Sequence, residues 1–171
     1  MRNIISLLLV LGVMISMFGC AANGTANSNK VSFFFLHSDI QYNSDSPVLA
    51  EERHVVVDSM QNPAIIIEHY LKGPDSNNCK TPFPSGTTLI SCEATNTYVS
   101  LVLSQEILSL TAVQQTIAFA CITRTVTELT GATEVQIAIA DSNEQITENY
   151  TFSADSFSYF DSVTINDLDP A

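Results

Sequence analysis

Tryptophan is absent from the 171 residues, and histidine occurs only three times. Both scarcities argue against an aromatic-rich sugar cleft and a histidine-rich metal centre. Basic residues are few as well: six lysines and arginines stand against 18 acids, for a formal net charge of −12. A surface this acidic repels phosphate backbones and anionic headgroups, which removes nucleic acid from the expected partners. No Gly-x-Ser-x-Gly turn occurs anywhere, so the serine-hydrolase elbow is missing. What is present is apolar: 46% of residues are hydrophobic and 14% charged, enough to build a core and to exclude a wholly disordered chain. The length suits one domain with at most an appendage.

The N-terminus has the layout of an export signal. Arg2 supplies the positive end, and an apolar run extends from Ile4 to Phe18, broken only by Ser6, Gly12 and Ser16. That run is about 15 residues, short of the roughly 20 that cross a bilayer as a helix. Met17-Phe18-Gly19-Cys20 resembles the lipobox of bacterial lipoproteins, in which the cysteine is acylated and the signal is cut just before it. Acyl chains partition at about 0.8 kcal/mol per buried methylene, so two or three hold a protein at a membrane. Small polar residues then fill Ala21 to Lys30 as a flexible tether, about 35 Å at full stretch.

Two strands open the mature chain: Val31 to His37, apolar on both faces, and Glu51 to Asp58, with Val55, Val56 and Val57. A helix follows. Asn62 suits its cap, Pro63 its first position, and Ile65, Ile66, Ile67, Tyr70 and Leu71 its apolar body. Gly73 and Pro74 end it. After a proline-rich loop, Thr87 to Cys92 and Tyr98 to Leu103 read as strands, with Ser104 to Ser109 a connector that adds at most a helical turn. From about Leu110 the spacing is helical: Val113, Ile117 and Cys121 form a stripe widened by Ala118, Ile122, Val126 and Leu129, and Gly131 closes it. Val135, Ile137 and Ile139 then alternate with Glu134, Gln136 and Ala138 in a half-buried strand. The order β-β-α-β-β-α-β predicts an α+β fold, a single sheet with two helices packed on one face. From Asp141 onward the chain is acidic, and aromatics such as Tyr150, Phe152 and Phe157 predict residual order, with a loose strand or hairpin near Phe157 to Ile165.

Several of these segments share one pattern. Glu51-Glu52-Arg53-His54-Val55 follows a Phe-rich strand, and the first helix ends in Tyr70-Leu71-Lys72-Gly73-Pro74. Pro82-Phe83-Pro84-Ser85-Gly86-Thr87 leads into a strand, and Thr125-Val126-Thr127-Glu128-Leu129 precedes Val135-Gln136-Ile137. Leu-x-Gly-Pro followed by Pro-x-Gly-Thr is the most specific piece. The chain resembles the GerMN domain of sporulation and germination proteins and related bacterial lipoproteins. That resemblance implies an extracytoplasmic, often lipid-anchored domain without established catalysis, similar in fold to the ring-building modules of bacterial secretion-type assemblies. The implied organisation is a signal peptide at 1–19, a lipid-anchored linker at 20–30, a GerMN-like domain at 31–141 and an acidic extension at 142–171. Ala140-Asp141-Ser142-Asn143 stands where the family's turn usually carries a glycine, and the family's basic residues near the domain end are missing.

No catalytic constellation emerges. Cys121 falls on the apolar stripe of the second helix, where a cysteine behaves as a small hydrophobe. His37, His54 and His69 fall on strand, strand and helix without ligand-like spacing, so surface or interface roles are expected and no metal or cofactor. Asp155, Asp161, Asp167 and Asp169 are too widely spaced for an EF-hand loop. Cys79 and Cys92 bracket the proline-rich loop; a disulfide between them would contribute about 3 kcal/mol, provided their Cα atoms lie within about 7 Å. The rival reading is three reduced cysteines, two of them in the core.

Two functions remain. The first is a membrane-tethered, non-catalytic module that binds envelope proteins through sheet edges or a helix face, with Cys20 carrying the lipid. The second is a cell-wall ligand binder or wall-acting enzyme, for which Glu51, Glu52, Tyr70 and Tyr98 would have to converge in a pocket.

Overall fold

The computed structural model describes residues 29–39, 47–56, 62–158, 160 and 162–165. The leader, Cys20 and most of the tether lie outside them. The strands are β1 (Asn29–His37), β2 (Leu49–Val56), β3 (Cys79–Lys80), β4 (Leu89–Ala94), β5 (Tyr98–Ser104), β6 (Glu134–Ala140), β7 (Ile146–Ser153) and β8 (Ser162–Ile165). The helices are α1 (Pro63–Leu71) and α2 (Ala112–Thr130), with a 3-10 turn at Gln105–Ser109.

The fold is α+β, but its strands divide between two sheets ordered β3-β1-β2-β8 and β4-β5-β6-β7. The expected single sheet is thereby corrected. Beyond the short β3 pairing at Leu36 and His37, the edge of β1 away from β2 meets the helices rather than another strand. The Phe34 N–H donates to Thr125 Oγ1 of α2 at 2.9 Å, and the Tyr70 hydroxyl of α1 donates to the Phe34 carbonyl at 2.7 Å. Those two bonds occupy the places of a neighbouring strand, so both backbone groups are satisfied without one.

Within the first sheet, β1 and β2 are antiparallel from Asn29 opposite Val56 to Leu36 opposite Leu49, and β8 runs parallel to β2. In the second, β5 and β6 are parallel, as an α2 crossover demands, and β4 and β7 flank them antiparallel. One apolar cluster spans both sheets: Phe33 and Phe35 of β1, Tyr70 of α1, Ile122 of α2, Leu101 and Leu103 of β5, and Ile137 and Ile139 of β6. Each such side chain contributes about 1.5–3 kcal/mol when fully buried.

Both helices begin and end where local chemistry directs. Asn62 Oδ1 accepts the Ala64 N–H at 3.0 Å, ahead of Pro63. Thr111 and Gln114 form a capping box at the start of α2, and Gly131 ends it at φ 71°. The α2 stripe starts one turn later than its spacing suggests. Val113 is 64% exposed, and burial begins at Ile117.

The acidic segment from Asp141 supplies two of the eight strands among the described residues. Phe119 of α2 lies 4.8 Å from Tyr150 and 5.5 Å from Phe152 of β7. Arg124 covers the Phe34 ring at 4.4 Å and donates to the Phe160 carbonyl at 2.8 Å, which ties the approach to β8 onto α2. At the β6–β7 turn no glycine is needed. Asp141 Oδ1 accepts the N–H groups of Asn143 and Gln145, which holds its carboxyl below the usual range, and Glu144 takes the left-handed conformation at φ 60°.

Candidate functional site

The Leu-Lys-Gly-Pro and Pro-Phe-Pro-Ser-Gly-Thr segments face one another across a cleft. Tyr70, fully buried, fixes the end of α1, and Gly73 turns the chain at φ 103°, a conformation that excludes side chains. On the opposite wall Phe83 meets the Tyr70 ring edge-on at 5.6 Å. Thr87 closes the turn there, its hydroxyl and N–H both donating to the Pro84 carbonyl at 2.9 and 3.2 Å. The cleft between measures about 660 Å³ and is lined by Leu71, Phe83, Pro84 and Leu89, with Glu68 and Lys72 as its ionisable groups. A depression of this size and mixed lining suits a peptide segment or small amphipathic ligand. Its walls hold no cysteine or histidine to act as nucleophile or base.

A second gathering lies where β2 meets the end of α1. The sequence shows no ligand-like spacing among the histidines, yet the fold brings two of them together: the His54 and His69 rings are 5.9 Å apart. His54 Nε2 is 3.2 Å from Glu52 Oε1, and His54 Nδ1 is 3.7 Å from Asp75 Oδ2. Glu52, 1% exposed, also accepts the Asp75 N–H at 3.1 Å. The His54–Glu52 pair is close but poorly aligned, so His54 Nε2 and Glu52 Oε2 are buried without hydrogen-bond partners. His37 stands apart on β1, its Nδ1 accepting the Asp39 N–H at 3.4 Å. Sequence separation hid the cluster; the polar run Glu51-Glu52-Arg53-His54 inside a strand was the one available signal.

Other candidate residues are dispersed. Tyr70 is consumed by the core and Glu52 is buried beneath β2. Glu51 lies between Ser32 and Arg53, at 2.7 and 2.9 Å. Tyr98, on β5, bonds to Gln136 of β6. The four do not form a pocket, and the wall-binding alternative loses its residue set. Cys79 is buried on β3 and Cys92 half-buried on β4, strands of different sheets, and no disulfide joins them. The loop they bracket is instead held by β3 on β1 and β4 on β5. Cys121 is buried on α2, and burial pushes its thiol well above its ordinary range, which keeps it from acting as a thiolate. Asp155 is exposed; Asp161, Asp167 and Asp169 lie outside the described residues.

The model of the Germane family, described as sporulation and spore germination, matches residues 32–145, two-thirds of the sequence. The chain belongs to this family. Its Germane domain is similar in structure to the tandem GerMN domains of the sporulation protein GerM from Bacillus subtilis, with a TM-score of 0.51 at 16% identity. That match covers 79% of this chain and 49% of the other, so the chain spans about half of the tandem protein. At that identity the likeness speaks for the fold alone. A Clostridium perfringens protein described as a lipoprotein matches more loosely, with a TM-score of 0.42 at 18% identity, over 75% of this chain and 91% of that one. No curated protein matches. The Germane match ends at residue 145, just before β7, so β7 and β8 lie outside the matched residues.

Proposed function

We propose that this Germane domain is a non-catalytic binding or scaffold module of the bacterial envelope, in sporulation, germination or a related process. In this reading a lipid on Cys20 holds it at the extracytoplasmic face of a membrane, and envelope proteins are its partners. The observation that carries the reading is the succession of a lipobox-like cysteine, a polar tether and a Germane domain in one chain. Contact surface is available: Ile65 of α1 and Ile90 of β4, elements that pack together, are 43% and 37% exposed. Tethering raises the local concentration of such a surface to the millimolar range for a partner on the same membrane.

Mass spectrometry of the cell-made protein tests the anchor, with a diacylglyceryl thioether on Cys20 expected. Crosslinking on intact cells tests the partner: the native chain is expected to capture a reproducible set of envelope proteins that Cys20→Ser loses. An unmodified Cys20 on protein released into the medium overturns the anchored reading. Failure of the anchored form to capture any partner overturns the scaffold.

A further inference from the structure

We propose that His54, His69 and Asp75 bind one divalent transition-metal ion, zinc in the first instance, with the buried Glu52 carboxylate orienting His54 from behind. This does not depend on the anchored reading.

Three elements contribute one ligand each: β2, the last turn of α1, and the loop beyond Gly73-Pro74. One ligand atom from each lies within 4.8 Å of the other two. Tetrahedral zinc holds nitrogen and oxygen ligands at about 2.0–2.2 Å, so its ligand atoms stand about 3.4 Å from one another. His54 Nδ1 and Asp75 Oδ2, at 3.7 Å, are nearly there. His69 and Asp75 are exposed and can close the remainder by side-chain rotation, without moving the core.

The donor pattern calls for a cation. The buried Glu52 Oε1 lies 3.2 Å from His54 Nε2 and Asp75 Oδ2 lies 3.7 Å from His54 Nδ1, so carboxylate oxygens flank the ring on both sides. A metal ion on Nδ1 would be shared with Asp75, and a buried carboxylate behind a ligating histidine is how zinc sites fix the ring. Glu52 has capacity for this role because its Oε2 is buried and unpartnered. Arg53, the neighbouring permanent cation on β2, is engaged with Glu51 at 2.9 Å. The Phe33 ring, 4.5 Å from His54 and 6.1 Å from His69, supplies an apolar floor that keeps water off one side. Two imidazoles and one carboxylate suit zinc, cobalt or nickel better than calcium or magnesium. The bound ion ties β2 to the end of α1 and so fixes the Leu71–Lys72 wall of the cleft.

The test uses the untagged full-length chain in detergent micelles, stripped with chelator and titrated with zinc chloride by calorimetry. One equivalent is expected to bind. His69→Ala is expected to weaken binding more than tenfold while leaving the metal-free unfolding midpoint in place, since the side chain is exposed. Glu52→Gln is expected to weaken it 10- to 100-fold with the stoichiometry kept. Cobalt substitution is expected to give a tetrahedral visible spectrum without a thiolate charge-transfer band. Absence of saturable binding, an unchanged affinity in His69→Ala, or a cobalt–thiolate band from the cysteines overturns the proposal.

Discussion

Replacing Tyr70 by phenylalanine removes one hydroxyl and nothing else. The ring keeps its place against Phe35 and Phe83, 4.9 and 5.6 Å away, so no cavity opens. What is lost is the 2.7 Å bond to the Phe34 carbonyl, one of the two that close the edge of β1. A typical bond contributes about 0.5–1.5 kcal/mol net, and a buried acceptor left alone raises the cost to about 1–3 kcal/mol. The folded-to-unfolded ratio then falls roughly 5- to 150-fold. Thr125 bonds both to the Phe34 N–H and to the Tyr70 hydroxyl, so the three groups act together. Urea unfolding followed by far-ultraviolet circular dichroism reads the loss as a lower midpoint at constant slope. In a double-mutant cycle, Thr125→Val and Tyr70→Phe should couple by at least about 0.5 kcal/mol. A Tyr70→Phe loss below about 0.5 kcal/mol would refute the claim that helix hydroxyls stand in for a strand.

Burial raises both the Tyr70 phenol above 10.0 and the Cys121 thiol above 9.0. The folded chain therefore holds protons that the unfolded chain releases, so stability is full below about pH 9 and falls as pH rises beyond it, by up to about 1.4 kcal/mol per pH unit for each group. Thermal melts across alkaline pH check this, and Cys121→Ala should flatten the fall. Glu144→Gly is expected to stabilise by about 0.5–1 kcal/mol, because glycine takes a left-handed conformation without the side-chain penalty; an unchanged or lower melting temperature would contradict it. In a Cys20→Ser chain, denatured and unreduced, three thiols should titrate, with Cys92 reacting first under native conditions. A count of one would restore the Cys79–Cys92 bridge.

Local chemistry was readable where residues act on their own neighbours. Asn62-Pro63 opens α1, Gly73 and Gly131 sit where the chain turns left-handed, and the strict alternation of Val135, Ile137 and Ile139 marks β6. The Thr111–Gln114 capping box was equally available and places the start of α2 more sharply than the apolar stripe does. Partition into two sheets was not readable, because strand pairing is decided by distant groups. Nothing near Phe34 in sequence announces that Tyr70 and Thr125 will take its edge. β7 was obscured by the surrounding acids, although Glu148, Tyr150 and Phe152 alternate with Asn149 and Thr151 along one half-buried face. The histidine cluster was invisible for the same reason as the sheets. His54 and His69 approach only once the end of α1 has come to rest near β2.

The first sheet is built from opposite ends of the polypeptide, with Leu49 beside Ser162, whereas the second draws on one continuous stretch from Leu89 to Ser153. Distant pairings form late, since chain closure must precede any reward from contact. The second sheet can therefore assemble first, and the first acquires its final strand only when the last residues are free. Deleting the segment after Ser153 would therefore open the edge of β2 while leaving all four strands of the second sheet in place.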